Sequence, residues 1–200
     1  MADTAVPIRL STPAPPPAGP DRRADAVRVL RPRERGDALG ALDPHDGKAL
    51  RRGLGAFPTG VAALAALVEG EPVGMAVNSF TSVSLDPPLV SICAAAESRT
   101  WRGLRRAAHL GISVLSAAQE QACARLAARD GDRFAALPWH ATADGAVLLE
   151  EAAAWFECSV EREIRAGDHE IVVLLVHRFG ADPRRAPLVF HGSRYRRLAE

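Results

Sequence analysis

From residue 61 onward the chain alternates short apolar runs with turn residues, which is the pattern of an antiparallel sheet and not of βαβ units. Strands are expected over 61–68, 73–79 and 89–94, with Glu69-Gly70-Glu71-Pro72 as the first turn. Pro87 and Pro88 are expected to hold the approach to the third strand extended. A strand over 110–115 and two longer ones, 155–164 and 169–179, follow. In the first long strand Phe156, Cys158, Val160 and Ile164 fall on one face and Glu157, Glu161 and Glu163 on the other, and Ala166-Gly167-Asp168 reverses the chain into a hairpin. Two short strands, 188–191 and 194–197, fit the end of a small closed barrel.

Helices are few. Asp43 and Pro44 read as the N-cap and first turn of a short helix through Leu50 and Leu54 that ends at Gly53 or Gly55. A second is expected over 101–107. Ser116 with Gln119 three residues on has the form of a capping box opening a third.

Composition adds a boundary. Seven of the fifteen prolines fall within residues 1–42, beside a mixed-charge stretch over 21–37 with no sustained apolar period, so this part is expected to be a disordered extension of a single domain over 43–200. Val27, Val29 and Leu30 are candidates for a short clasp on the domain surface. A net charge of +1, with the tail's arginines interrupted by Asp21, Asp25, Glu34 and Asp37, argues against nucleic acid as a partner. No apolar run reaches the length needed to span a bilayer and no signal-peptide core opens the chain, so a soluble, cytoplasmic protein is expected. Cys93, Cys123 and Cys158 are far apart and unpaired in sequence, and are expected as buried, reduced thiols.

Several chemistries are excluded by their missing motifs. In Gly53-Leu54-Gly55 the next glycine is at position 60 and no strand precedes the motif, so the Rossmann dinucleotide fingerprint is absent. No HExxH or cysteine-paired histidine suggests a metal, and no GxSxG elbow supplies a hydrolase nucleophile. What the chain does offer is an anion site. Asn78, Ser79, Thr81, Ser82 and Ser84 are small donors in one run, and Ser98-Arg99-Thr100 adds two hydroxyls, a guanidinium and the start of a helix that Thr100 is placed to cap. By themselves Phe57-Pro58-Thr59-Gly60-Val61 reads as a helix-to-strand connection, His169 as a turn residue and Tyr195 as an edge aromatic.

Taken in order, Phe57-Pro58-Thr59-Gly60-Val61, the Asn78 to Val90 run, Ser98-Arg99-Thr100-Trp101 and Gly167-Asp168-His169-Glu170-Ile171 resemble the short-chain flavin reductases. The resemblance implies an antiparallel six-stranded split β-barrel with Greek-key connections and short flanking helices. It implies an NAD(P)H:flavin oxidoreductase that uses FMN or FAD with NADH or NADPH, acts as a homodimer, and supplies diffusible reduced flavin to a partner monooxygenase. It assigns Thr59 and Gly60 to the isoalloxazine edge, Gly60 leaving room for close approach, and Ala76, Val77, Asn78 and Ser79 to the length of the flavin. Ser82, Ser84, Ser98, Arg99 and Thr100 fall to the ribityl phosphate. His169 is the implied catalytic residue, docking the nicotinamide or supplying a proton, with Asp168 orienting it. Tyr195 is the implied nicotinamide-stacking residue, although His191 stands where the family often has an aromatic. A second reading is an FMN-binding electron-transfer or flavin-storage protein that does not oxidise NAD(P)H.

Overall fold

A computed structural model describes residues 41–198, so residues 1–40 of the expected 1–42 extension, with the candidate clasp, lie outside the described residues. The first helix, α1 (Gly47–Leu54), starts later than Asp43-Pro44 suggests. Asp43 spends its carboxylate on a turn, accepting from the His45 amide at 2.8 Å, while Asp46 is the N-cap and accepts from the amides of Lys48 (2.9 Å) and Ala49 (3.2 Å).

After β1 (Thr59–Gly60), strands β2 (Ala62–Val68) and β3 (Glu71–Val77) form a hairpin through Glu69 and Gly70. Both turn residues have positive φ, 54° and 87°, the requirement of the tight turn that suits twisted strands. Next come β4 (Thr81–Leu85), β5 (Pro88–Ala95), α2 (Arg99–Leu104), β6 (Leu110–Val114), α3 (Glu120–Ala127), the hairpin β7 (Trp139–Ala141) and β8 (Val147–Leu149), then the long hairpin β9 (Ala154–Ala166) and β10 (His169–Ala181). The last two strands are β11 (Val189–His191) and β12 (Arg194–Arg196).

Seven strands make one antiparallel sheet in the order β3-β2-β6-β9-β10-β5-β4. The sheet has seven strands where a six-stranded split barrel was expected, and no ladder among the described residues closes it. The edges β3 and β4 share no ladder among the described residues, and β11 and β12 join β1 in a separate three-stranded sheet. A side chain makes the connection that a backbone ladder does not: Ser79, just beyond β3, accepts from the Cys93 amide at 2.8 Å and donates to the Cys93 carbonyl at 3.2 Å on β5.

The curled inner face is dry. Leu64, Ile92, Leu110, Ile112, Val172 and Leu174 are fully buried there with Trp101 and Leu104 of α2, each contributing about 1.5–3 kcal/mol by leaving water. A second core lies on the other face of β2, where Val61, Ala63 and Ala65 meet Leu115, Cys123, Leu126, Val147 and Leu188. Coverage on both faces explains why 61–68 is an unbroken apolar run and not an alternating one. At Gly111 the β8 backbone passes so close that a Cβ would sit 2.0 Å from the Val147 carbonyl oxygen.

The expected faces of β9 hold for Phe156, Cys158 and Val160, which join the first core, but that same hairpin changes what the opposite face meets. Glu157 is 1% exposed because the β7–β8 loop covers it, whereas Ile164 is 44% exposed. Register shifts at Val173/Leu174 and Val176/Arg178 further break the alternation. Other corrections are local. Asp86 and Pro87 form a turn, and Pro88 already belongs to β5. Ser98, not Thr100, caps α2, accepting from the Trp101 amide at 3.2 Å. The capping box is half formed: Gln119 Oε1 accepts from the Ser116 amide at 2.9 Å, but α3 begins only at Glu120. All three cysteines are free, and Cys93 is exposed where burial was expected.

Candidate functional site

The C-terminal end of β3 opens into two adjoining cavities that share Asn78 and Phe190. The inner one, about 180 Å³, is walled by Val61, Ala76, Cys123 and Tyr195. The outer one, about 320 Å³, is walled by Arg51, Leu54, Phe57 and Thr59. Pairing of β1 with β11 sets Thr59 opposite Phe190. The β11–β12 turn is tied to the end of α1 by the Gly192 amide, which donates to the Gly55 carbonyl at 2.8 Å.

Thr59 Oγ1 is buried without a partner. Such an orphan costs about 1–3 kcal/mol unless a ligand satisfies it, so the cleft fits a largely apolar ligand that carries a polar group. Its inner wall is neutral. Tyr195 donates to Cys123 Sγ at 3.1 Å. That bond, with burial, pushes the phenol up to about 12, while burial raises the Cys123 thiol.

At its middle, β3 meets a guanidinium. Arg133 donates from one guanidinium nitrogen to the Gly74 carbonyl at 3.0 Å and to Thr100 Oγ1 at 2.9 Å, beside the exposed Arg99 and the capping Ser98. Asp132 shapes the loop that delivers it, accepting from the amides of Phe134 (2.9 Å) and Ala135 (3.1 Å). A groove of about 780 Å³ runs past Gly74, Arg129 and Arg133, with Glu71, Asp130 and Asp132 also on its walls. Sequence reasoning missed Arg133, which stands alone in Gly131-Asp132-Arg133-Phe134 and belongs to no anion motif.

The remaining expected residues divide into groups. Asn78 lines both cavities, and Ala76 and Val77 line the inner one. Gly60 has open space where a Cβ would be. The hydroxyl run does not converge, because Ser79 is bonded to β5, and Ser82 and Ser84 lie on the edge strand β4. Ser84 is occupied there as acceptor for the Asp86 amide at 3.2 Å. His169 opens β10 opposite Ala95, two residues along β5 from the Ser79 bridge, with Nδ1 2.8 Å from Asp168 Oδ1. That hydrogen bond is the main cause holding the Asp168 carboxyl below its ordinary range. The Asp168 carbonyl accepts from the Ala96 amide at 3.0 Å, which fixes the turn against the approach to Ser98. The structure therefore sets His169 opposite Ala95, ahead of the segment that leads to Ser98, and Tyr195 at the inner cavity; no contact among the described residues joins the two.

A further titratable cluster lies outside the cleft. Glu157 accepts from Thr142 at 2.8 Å, lies 3.0 Å from His109 Nδ1 and 3.4 Å from Arg178, and His109 stacks on His177. Its three charged or hydroxyl partners satisfy the buried carboxylate.

Comparison with known proteins bears out the resemblance. Residues 54–199 match the sequence profile of the flavin reductase like domain. Over 163 residues the chain is 39% identical to an NADH-dependent FAD reductase of Streptomyces globisporus, covering 79% of this chain and 89% of that protein. It is 34% identical to the reductase subunit HsaB of a flavin-dependent monooxygenase from Rhodococcus jostii, covering 80% and 82%. It is 44% identical to the reductase subunit Stc3 of a stachydrine N-demethylase from Rhizobium meliloti, but spans only 60% of that protein, and 43% of the length of a probable flavin reductase from the same organism. The solved NADH:FAD oxidoreductase of Streptomyces globisporus, in complex with NAD and FAD fragments, superposes with a TM-score of 0.75, at 39% identity over 80% of this chain and 96% of that one. On the match of its domain and of these relatives, the chain belongs to the flavin reductase-like domain family.

Proposed function

We propose that this protein is an NAD(P)H:flavin oxidoreductase that reduces FMN or FAD and releases the reduced flavin to a partner monooxygenase. The observation that carries the reading is the layout along β3. A mainly apolar cleft with an unsatisfied hydroxyl lies at Asn78, and the Arg133 guanidinium, beside Thr100 and Arg99, lies four residues away at Gly74. At about 3.3 Å per residue that separation is about 13 Å, the scale of a flavin ring with its ribityl phosphate.

A bound flavin supplies a ring nitrogen, N5, that accepts a hydride from C4 of a reduced nicotinamide. The chain binds and orients. Thr59 takes the polar edge of the ring, Gly60, Ala76 and Val77 leave room for its face, and Ser79 holds Asn78 in place by anchoring the strand to β5. Ser98, Arg99, Thr100 and Arg133 hold the phosphate; Ser82 and Ser84 are assigned no contact. Fixed donors and positive charge nearby stabilise negative charge developing on the reduced ring. His169, oriented by Asp168, docks the nicotinamide or delivers a proton, and Tyr195 offers it a stacking surface.

In this reading the curled seven-stranded sheet corresponds to a split barrel, two copies pair as a homodimer in the cytoplasm, and residues 1–42 extend a domain over 43–200. The carrier alternative draws on His191, which stands in place of an aromatic. Steady-state assays with NADH or NADPH against FMN, FAD and riboflavin separate the two. Flavin-dependent nicotinamide oxidation is expected, whereas flavin binding without oxidation by either nucleotide identifies a carrier.

A further inference from the structure

We propose that Cys123 is a positioning residue for Tyr195: its thiol takes up the phenol hydroxyl and fixes the ring as a wall of the inner cavity, making Tyr195 a stacking surface and not a proton donor. The inference rests on the proposed function for its kinetic consequences, and on geometry alone for the latch itself.

The two residues come from separate parts of the fold. Cys123 lies on α3 and is 4% exposed, and Tyr195 lies on β12 in the small sheet. The ring packs against the edge of the second core. Its body meets Phe190 edge-on, with centroids 5.6 Å apart and planes at 60°, and its tip donates to Cys123 Sγ at 3.1 Å. Among the described residues that thiol is the only partner of the hydroxyl. The ring borders a cavity of about 180 Å³, and the tip contact is the polar restraint that sets its angle there. Fixing it fixes the width of that cavity between Tyr195 and Ala76. A phenol held in this way, with its ionisation pushed up to about 12, does not yield its proton near neutrality. Burial likewise keeps the thiol protonated, so the pair is a neutral latch and Cys123 is no nucleophile.

Tyr195 is the only tyrosine in the chain, so tyrosinate absorbance reports on it alone. In Cys123→Ala the tyrosinate is expected to form at lower pH than in wild type. KM for the nicotinamide is expected to rise about two- to tenfold, the worth of one neutral hydrogen bond, with kcat within about twofold. Cys123→Ser, which keeps an acceptor in place, is expected to restore both properties. Tyr195→Phe is expected to raise KM to the same extent as Cys123→Ala, and the double variant to be no worse than either, because each removes the same contact. Wild-type KM in Cys123→Ala, additive losses in the double variant, or a collapse of kcat in Tyr195→Phe would each overturn the proposal. If wild type oxidises no nicotinamide, the proposed function fails. The tyrosinate titration then still decides the latch, which stands if Cys123→Ala lowers it and falls if it is unchanged.

Discussion

Replacing Arg133 with alanine separates the phosphate corner from the ring cleft. The guanidinium is half-buried and already aimed, with one nitrogen shared between the Gly74 carbonyl and Thr100 Oγ1, so little ordering remains to be done when an anion arrives. A hydrogen bond from a charged donor contributes about 1.5–3 kcal/mol. At 1.4 kcal/mol per tenfold, its loss weakens FMN binding by roughly 10- to 150-fold. The same substitution also frees the Gly74 carbonyl and Thr100, a structural cost felt equally with any flavin. Riboflavin, which lacks the phosphate, is therefore the control. Parallel fluorescence-quenching titrations of wild type and Arg133→Ala are expected to show a large loss for FMN, shrinking as salt rises, and a change within about threefold for riboflavin. Equal losses for both flavins would mean that Arg133 only supports the fold. Unchanged FMN affinity would put the phosphate elsewhere.

His169→Ala is expected to slow nicotinamide-driven flavin reduction about 100-fold or more while FMN affinity stays near wild type; unchanged turnover would leave His169 a turn residue. For Glu157, burial pushes the carboxyl up, but the hydrogen bonds from His109 and Thr142 and the charges of His109 and Arg178 prevail and hold it below its ordinary 4.5. A lowered folded-state value means the stabilisation is complete above 4.5 and fades as pH falls through that lower value. Glu157→Gln is thus expected to cost about 1–3 kcal/mol at neutral pH, since Arg178 and His109 regain water more readily than fully buried partners do. The gap from wild type, read by urea unfolding, should narrow in acid, and a gap independent of pH would contradict the assignment.

The strands were legible where one physical rule governs them. The apolar runs of β2 and β5 and the Gly167-Asp168 reversal fall where the pattern predicts. Alternation placed Glu157 opposite Cys158 but did not show that this face is covered, because the β7–β8 hairpin just before β9, which buries it, has a weak strand signal. Asp43 and Asp46 compete for one helix start, and composition does not say which carboxylate reaches the free amides. At the cleft, motif resemblance pointed to Asn78 and Thr59, and both line the outer cavity. Counting hydroxyls does not say which are already bonded: Ser79 serves a strand bridge and Ser84 a turn. Arg133 and Cys123 carried no local signal, since each matters only through partners far away in sequence.

The central claim is direct reduction of bound flavin by a nicotinamide. It is tested most directly by anaerobic stopped-flow mixing of the FMN-loaded protein with NADH or NADPH, unlabelled or deuterated at the transferred C4 position. The account predicts rapid bleaching of the flavin with at least one of the two nucleotides and a slower rate with the deuterated form. Bleaching no faster than with free FMN, for both nucleotides, would contradict it.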